Sequence, residues 1–124
     1  MVQFIWLLAV HWFADFVLQT HWQAQNKSKN LNALARHVGV YSAALLIAIP
    51  WIFPGDLRDH VSRWLAFTVL NGILHFGTDF LTSRASAIFS KNGDWHNFFV
   101  VVGFDQLIHQ LTLAGTMMLI FGMR

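Results

Sequence analysis

The only acidic residues of the chain are 6 aspartates. Three of them stand inside apolar stretches, each with a histidine four positions away: His11 with Asp15, His75 with Asp79, and Asp105 with His109. Residues at i and i+4 lie on one helix face, a turn apart, so each pair presents an imidazole and a carboxylate to one point. A fourth histidine, His37, opens a further apolar stretch. Imidazole and carboxylate donors without any cysteine suit a divalent metal ion: Zn is the first expectation, with Mn or Fe as alternatives. The seven residues supply ligands for one ion, and for two where carboxylates bridge. Asp15 carries a second expectation, that of general base. Asp56, Asp59 and Asp94, like His21, His60 and His96, fall in the connections, where solvated side chains are expected.

The elements that must carry these ligands follow from composition. Hydrophobic residues make up 56% of the 124 positions and charged residues 11%. A soluble domain is about a quarter charged, and this chain cannot build a water-facing surface. The 6 Trp fall mostly near the ends of apolar runs, as interfacial anchors do. Four apolar runs, at about 2–20, 34–53, 64–83 and 98–121, have the length that a bilayer core demands. The expectation is an all-α integral membrane bundle, a single domain of four transmembrane helices with antiparallel neighbours. His11 and Asp15 interrupt the first run, and no basic segment precedes it. It reads as a retained span rather than a signal peptide.

The 8 Lys and Arg are scattered singly, which argues against nucleic acid as a partner and leaves membrane lipids. Lys27, Lys29, Arg36, Arg84 and Lys91 flank the first and third connections, whereas Arg58, Arg63 and Arg124 mark the opposite side. The excess places those two connections in the cytoplasm and both termini outside it. The absence of Cys excludes disulfides and thiolate chemistry. Four short helices shield little interior, so a homo-oligomer is compatible with the chain.

Depth gathers the ionisable residues. Asp15 and Asp79 lie near the ends of their runs, and His37 and Asp105 near the starts of theirs. With antiparallel neighbours they share one layer, roughly 5 to 15 Å from the interface at 1.5 Å rise per residue. Four-helix bundles hold metal sites in such layers. The competing structural reading is that His–Asp pairs only join helices by hydrogen bonds, and that His37 is an interfacial residue. Gln19, Asn71 and Ser83 extend the same stripes and, with Gln106, are expected to hydrogen-bond the ligands, with helix packing as the alternative. Arg36 and Arg84, near the same interface, are expected to hold a phosphate. Gly39, Gly72, Gly77, Gly103, Ala43 and Ala44 are expected to let helices approach closely. Each half of the chain contains His-x-x-x-Asp-Phe, too little to claim a duplication.

The run His11-Trp-Phe-Ala-Asp15-Phe-Val-Leu-Gln19-Thr, with Trp22 and Lys27 beyond it, resembles the opening of the domain of unknown function 3307 family. Arg36-His37, His75-Phe-Gly-Thr-Asp79 and Asp105-Gln106-x-x-His109 are similar to that family's later motifs. The resemblance implies a small multi-helix protein of a bacterial or phage inner membrane and supplies no reaction. More loosely, the His-x-x-x-Asp pairs are similar to ligand patterns of zinc-dependent phospholipases C and membrane-bound metal-dependent hydrolases. Three functions follow as expectations. The first is a metal-dependent hydrolase of a phosphoester or lipid headgroup. The second is a proton or metal-ion transporter or channel. The third is a non-enzymatic phage or bacterial accessory protein with a structural His/Asp cluster. No glycine-rich phosphate loop or Ser-His-Asp order suggests another chemistry.

Overall fold

The computed structural model describes residues 1–122, all of whose regular elements are helical. Helix α1, Val2–Trp12, runs straight into a π-helical turn, Phe13–Val17, in which the Leu18 N–H donates to Phe13 O at 3.0 Å. A short helix, α2 (His21–Asn26), follows in the segment that the sequence reads as a polar connection. Its start is a capping box, with Thr20 Oγ1 accepting from Gln23 N and Gln23 Oε1 accepting from Thr20 N. Helix α3 covers Leu31–Ile52 behind an Asn30 cap, and Pro50 falls in its last turn. Helix α4 runs from Leu57 to Lys91, well beyond the expected 64–83, and α5 covers Trp95–Phe121. At 1.5 Å per residue α4 is about 52 Å long, longer than the ~30 Å bilayer core. The turn between α4 and α5 needs Gly93 at φ +72°.

Helix α1 packs on α3 and α5, and α4 packs on the same two helices. Contacts run in opposite senses along each pair. Asn71, Asp79 and Thr82 of α4 meet Thr116, His109 and Asp105 of α5 in that order. The four long elements thus form an antiparallel bundle. Helices α3 and α5 are long and apolar enough to cross a membrane. The Val2–Val17 stretch is apolar but shorter than those two helices. Arg124, which entered the charge comparison, lies outside the described residues.

Many large apolar side chains lie outside, and a set of polar ones is buried alongside the apolar core. Ile47, Trp51, Ile73, Phe99, Leu111 and Leu119 are among many large apolar side chains on the outside. His11, Asp15, His37, His75, Asp79 and His109 are buried inside. At the end where α3 turns into α4, an apolar cluster includes Ile49, Phe53, Phe67 and Phe121. Of the expected small-residue contacts, Gly72 alone among the glycines named is a close approach: a Cβ there would stand 2.7 Å from Ser42 Oγ. Gly39, Gly77 and Gly103 have open space in front of them, so no helix needs them small. His60 is not simply solvated, since its ring packs directly over Gly55 in the α3–α4 turn.

Candidate metal centre

Four helical elements aim their polar residues at one layer. Asp15 sits in the π-turn, and such turns recur at functional sites. His11 Nε2 and Asp15 Oδ2 stand 3.9 Å apart, about as far as the His75–Asp79 pair of α4 at 3.8 Å, and Asp15 Oδ1 faces His37 of α3 and His75 of α4. His37 comes from the second turn of α3, His75 and Asp79 from α4, and Asp105 and His109 from α5.

At the centre, four donor atoms converge. Asp15 Oδ1 lies 3.0 Å from His37 Nε2 and 3.3 Å from His75 Nε2. Asp79 Oδ2 lies 3.3 and 3.8 Å from the same two nitrogens. The nitrogens themselves are 3.1 Å apart. An ion bound tetrahedrally at ~2.0–2.2 Å separates its ligand atoms by about 3.3–3.6 Å. The five separations straddle that edge length, and all four residues are buried. Two ring nitrogens that face each other can share one proton, or can both turn lone pairs to a common cation. The donor set and its spacing therefore fit a divalent metal ion.

Around this group the imidazoles are oriented by stacking. His75 is sandwiched between Tyr41, at 4.0 Å between ring centroids, and His109, at 4.1 Å. His11 meets the edge of Tyr41. The Nδ1 atoms of His11, His37 and His75 are buried and have no hydrogen-bond partner. Tyr41 is the only tyrosine and stands one turn after His37, a signal available in the sequence but not used.

The remaining expected residues divide. Gln106 is where a supporting residue belongs: its Nε2 donates to Asp15 Oδ2 at 3.0 Å and Asp105 Oδ2 at 3.1 Å, and its Oε1 faces His11 Nε2 at 3.2 Å. His11 accordingly stays out of the converging set and reaches it through Gln106. Asn71 does not touch the ligands. It pairs with Thr116 across α4 and α5, at 2.9 Å, and forms a separate polar layer. Gln19 and Ser83 line a cavity that adjoins Asp15, each with a buried oxygen that lacks a partner.

That cavity, about 500 Å³, lies between the first connection, α4 and α5. Lys27, Ser28, Ser86 and Ser90 form polar walls, and Phe16, Phe98 and Val102 apolar ones. Neither Arg36 nor Arg84 lines it. Arg36 lies over the Trp22 ring, and Arg84 donates to Phe80 O on its own helix while stacking on the Phe80 ring. The cation in the cavity is Lys27, whose Nζ donates to Asp79 Oδ2 at 2.8 Å. Sequence reasoning missed this role because 52 residues separate the two, and only the α2 fold-back brings them together.

Residues 3–123 match the family described as protein of unknown function, DUF3307. The chain belongs to that family. The match spans the π-turn, the four histidines at the centre and all three aspartates. No curated protein and no solved structure matches the chain, so the likeness to metal-dependent hydrolases gains nothing from these comparisons.

Proposed function

We propose that the protein is a membrane-embedded, metal-dependent hydrolase that acts on a phosphoester or lipid headgroup. The observation that carries this reading is the convergence of Asp15, His37, His75 and Asp79 at tetrahedral edge lengths, beside a cavity that holds a lysine. A divalent ion, Zn before Mn or Fe, lowers the pKa of water and polarises a phosphoryl oxygen. The chain's own residues do the rest. Lys27 holds the anionic group, the role expected of Arg36 and Arg84. Asp15 keeps Oδ2 off the converging set and facing Gln106, where it can take a proton as general base. His11 and Gln106 fix the orientation of that carboxylate.

Four membrane spans in a bacterial inner membrane, with the centre in the cytoplasmic leaflet and termini in the periplasm, complete the reading. The apolar exterior and polar interior support it, because ionisable groups within a bilayer face a partner or a watery cavity. A lipid substrate then enters laterally between Phe98 and Phe16. Transport is the weaker reading: the Asn71–Thr116 layer extends polarity past the centre, but the Phe53, Phe67 and Phe121 rings close the interior beyond it.

Elemental analysis of the purified protein tests the proposal first. Stoichiometric Zn, Mn or Fe is expected, absent from a folded His75→Ala, Asp79→Ala double variant. Phosphoester turnover that vanishes in the same variant completes the case. Wild type that purifies without metal and takes none up overturns the hydrolase reading and leaves the pairs as helix-joining hydrogen bonds.

A further inference from the structure

Two groups of donors surround the same two carboxylates. Asp79 turns Oδ2 toward His37 and His75 and Oδ1 toward His109, at 3.2 Å. Asp15 divides in the same way, with Oδ1 on His37 and His75 and Oδ2 on the side of Gln106 and His11. On the α5 side, His109 Nε2 stands 3.5 Å from Asp105 Oδ1. Asp15, Asp105 and His109 each bring one donor atom within 4.8 Å of the others. The 3.2 and 3.5 Å separations around His109 match the tetrahedral edge of about 3.3–3.6 Å met in the first group.

We infer that the centre is dinuclear. One ion is held by His37, His75 and Asp15 Oδ1, the other by His109 and Asp105, and the carboxylate of Asp79 bridges them. The inference rests on the metal reading above and adds a second site to it. A carboxylate that offers one oxygen to each side can span two ions about 3.5–4 Å apart, the separation used by two-metal hydrolytic sites. Gln106 suits this arrangement, since its amide holds Asp15 and Asp105 together from outside both donor groups.

Charge then narrows the substrate. With neutral imidazoles, the three carboxylates are balanced by Lys27 and a single divalent ion. A second divalent ion leaves a positive excess at the mouth of the cavity, where only an anion can compensate it. The substrate class is therefore a phosphoryl group whose oxygens reach both ions, in preference to a neutral carboxylic ester.

Mn²⁺ loading of the full chain in detergent micelles, read by equilibrium dialysis and electron paramagnetic resonance, tests the inference. Two Mn²⁺ per chain and an exchange-coupled spectrum are expected for wild type. His109→Ala and Asp105→Asn should each bind one Mn²⁺ and give the six-line spectrum of an isolated ion. One Mn²⁺ with a six-line spectrum in wild type overturns the dinuclear centre and leaves the single-ion reading intact. No retained Mn²⁺ in wild type overturns both. The wild-type spectrum is decisive even if a variant fails to fold.

Discussion

The two ends of the bundle interior are built on opposite terms. At the end where α3 turns into α4, Phe53 and Phe121 stack at 4.0 Å, Phe67 packs on both, and the Trp64 indole donates to Phe53 O. The buried His60 Nδ1 and Thr68 Oγ1 nearby have no hydrogen-bond partner. At the other end the interior holds four imidazoles, three carboxylates and an ammonium, with several ring nitrogens left without partners. Removing one partner from such a cluster leaves an uncompensated buried charge. The aromatic end therefore supplies stability, and the His/Asp end uses some of it to hold side chains in an arrangement that packing alone would not select.

The largest effect that tests this division comes from Phe67, which is fully buried. Phe67→Ala is expected to lower unfolding free energy by on the order of 3 kcal/mol, through lost contacts and a cavity. Metal content of the folded fraction should stay at the wild-type value. A Phe67→Ala protein that stays folded but loses its metal would show that the two ends are one cooperative unit and that the comparison is wrong.

Gln106 gives the next effect, with the opposite signature. Gln106→Leu keeps the volume and removes the bridge among His11, Asp15 and Asp105. Metal affinity should fall about 10–100-fold, the usual cost of losing a residue that orients ligands. The melting temperature of metal-free protein should change little. A large drop in that temperature with unchanged metal affinity would make Gln106 a helix-joining residue instead.

How much of this was legible in the sequence depends on where each residue sits relative to regular helix. His75–Asp79 and Asp105–His109 obey the i, i+4 rule because α4 and α5 are regular there, and the shared layer follows from antiparallel packing. His11–Asp15 has the same spacing and nearly the same separation, 3.9 Å against 3.8 Å for His75–Asp79, although the π-turn that carries Asp15 has no composition signal. Lys27 was invisible as a partner of Asp79 because a fold-back places it. The fold-back begins at the capping box Thr20-x-x-Gln23, a pattern legible in the sequence. Arg36 and Arg84 lie near the right interface, but each found a nearer aromatic ring. Depth could be read along the chain, whereas direction around each helix could not.

The smallest expected effect separates the two kinds of turn. The α3–α4 turn is held by packing, with the His60 ring over Gly55. The α4–α5 turn is held by a half-buried carboxylate: Asp94 caps α5, accepting from the Asn97 side-chain amide at 2.7 Å and from the Asn97 N–H at 3.1 Å. Those two donors, the side-chain amide first, hold the Asp94 carboxyl below its ordinary range. A depressed folded-state pKa gives stability that is complete above the unfolded value of about 3.9 and is lost as pH falls through the folded value. Asn caps a helix about as well as Asp and does not titrate there. Wild type and Asp94→Asn should therefore have nearly the same melting temperature above pH 5. Below pH 4 the wild type should fall more steeply, by a small margin, and the difference between the two curves removes the contribution of every other carboxylate. Parallel curves down to pH 2.5 would mean that the turn is held by the Gly93 backbone alone and that both turns of the bundle are set by shape rather than charge.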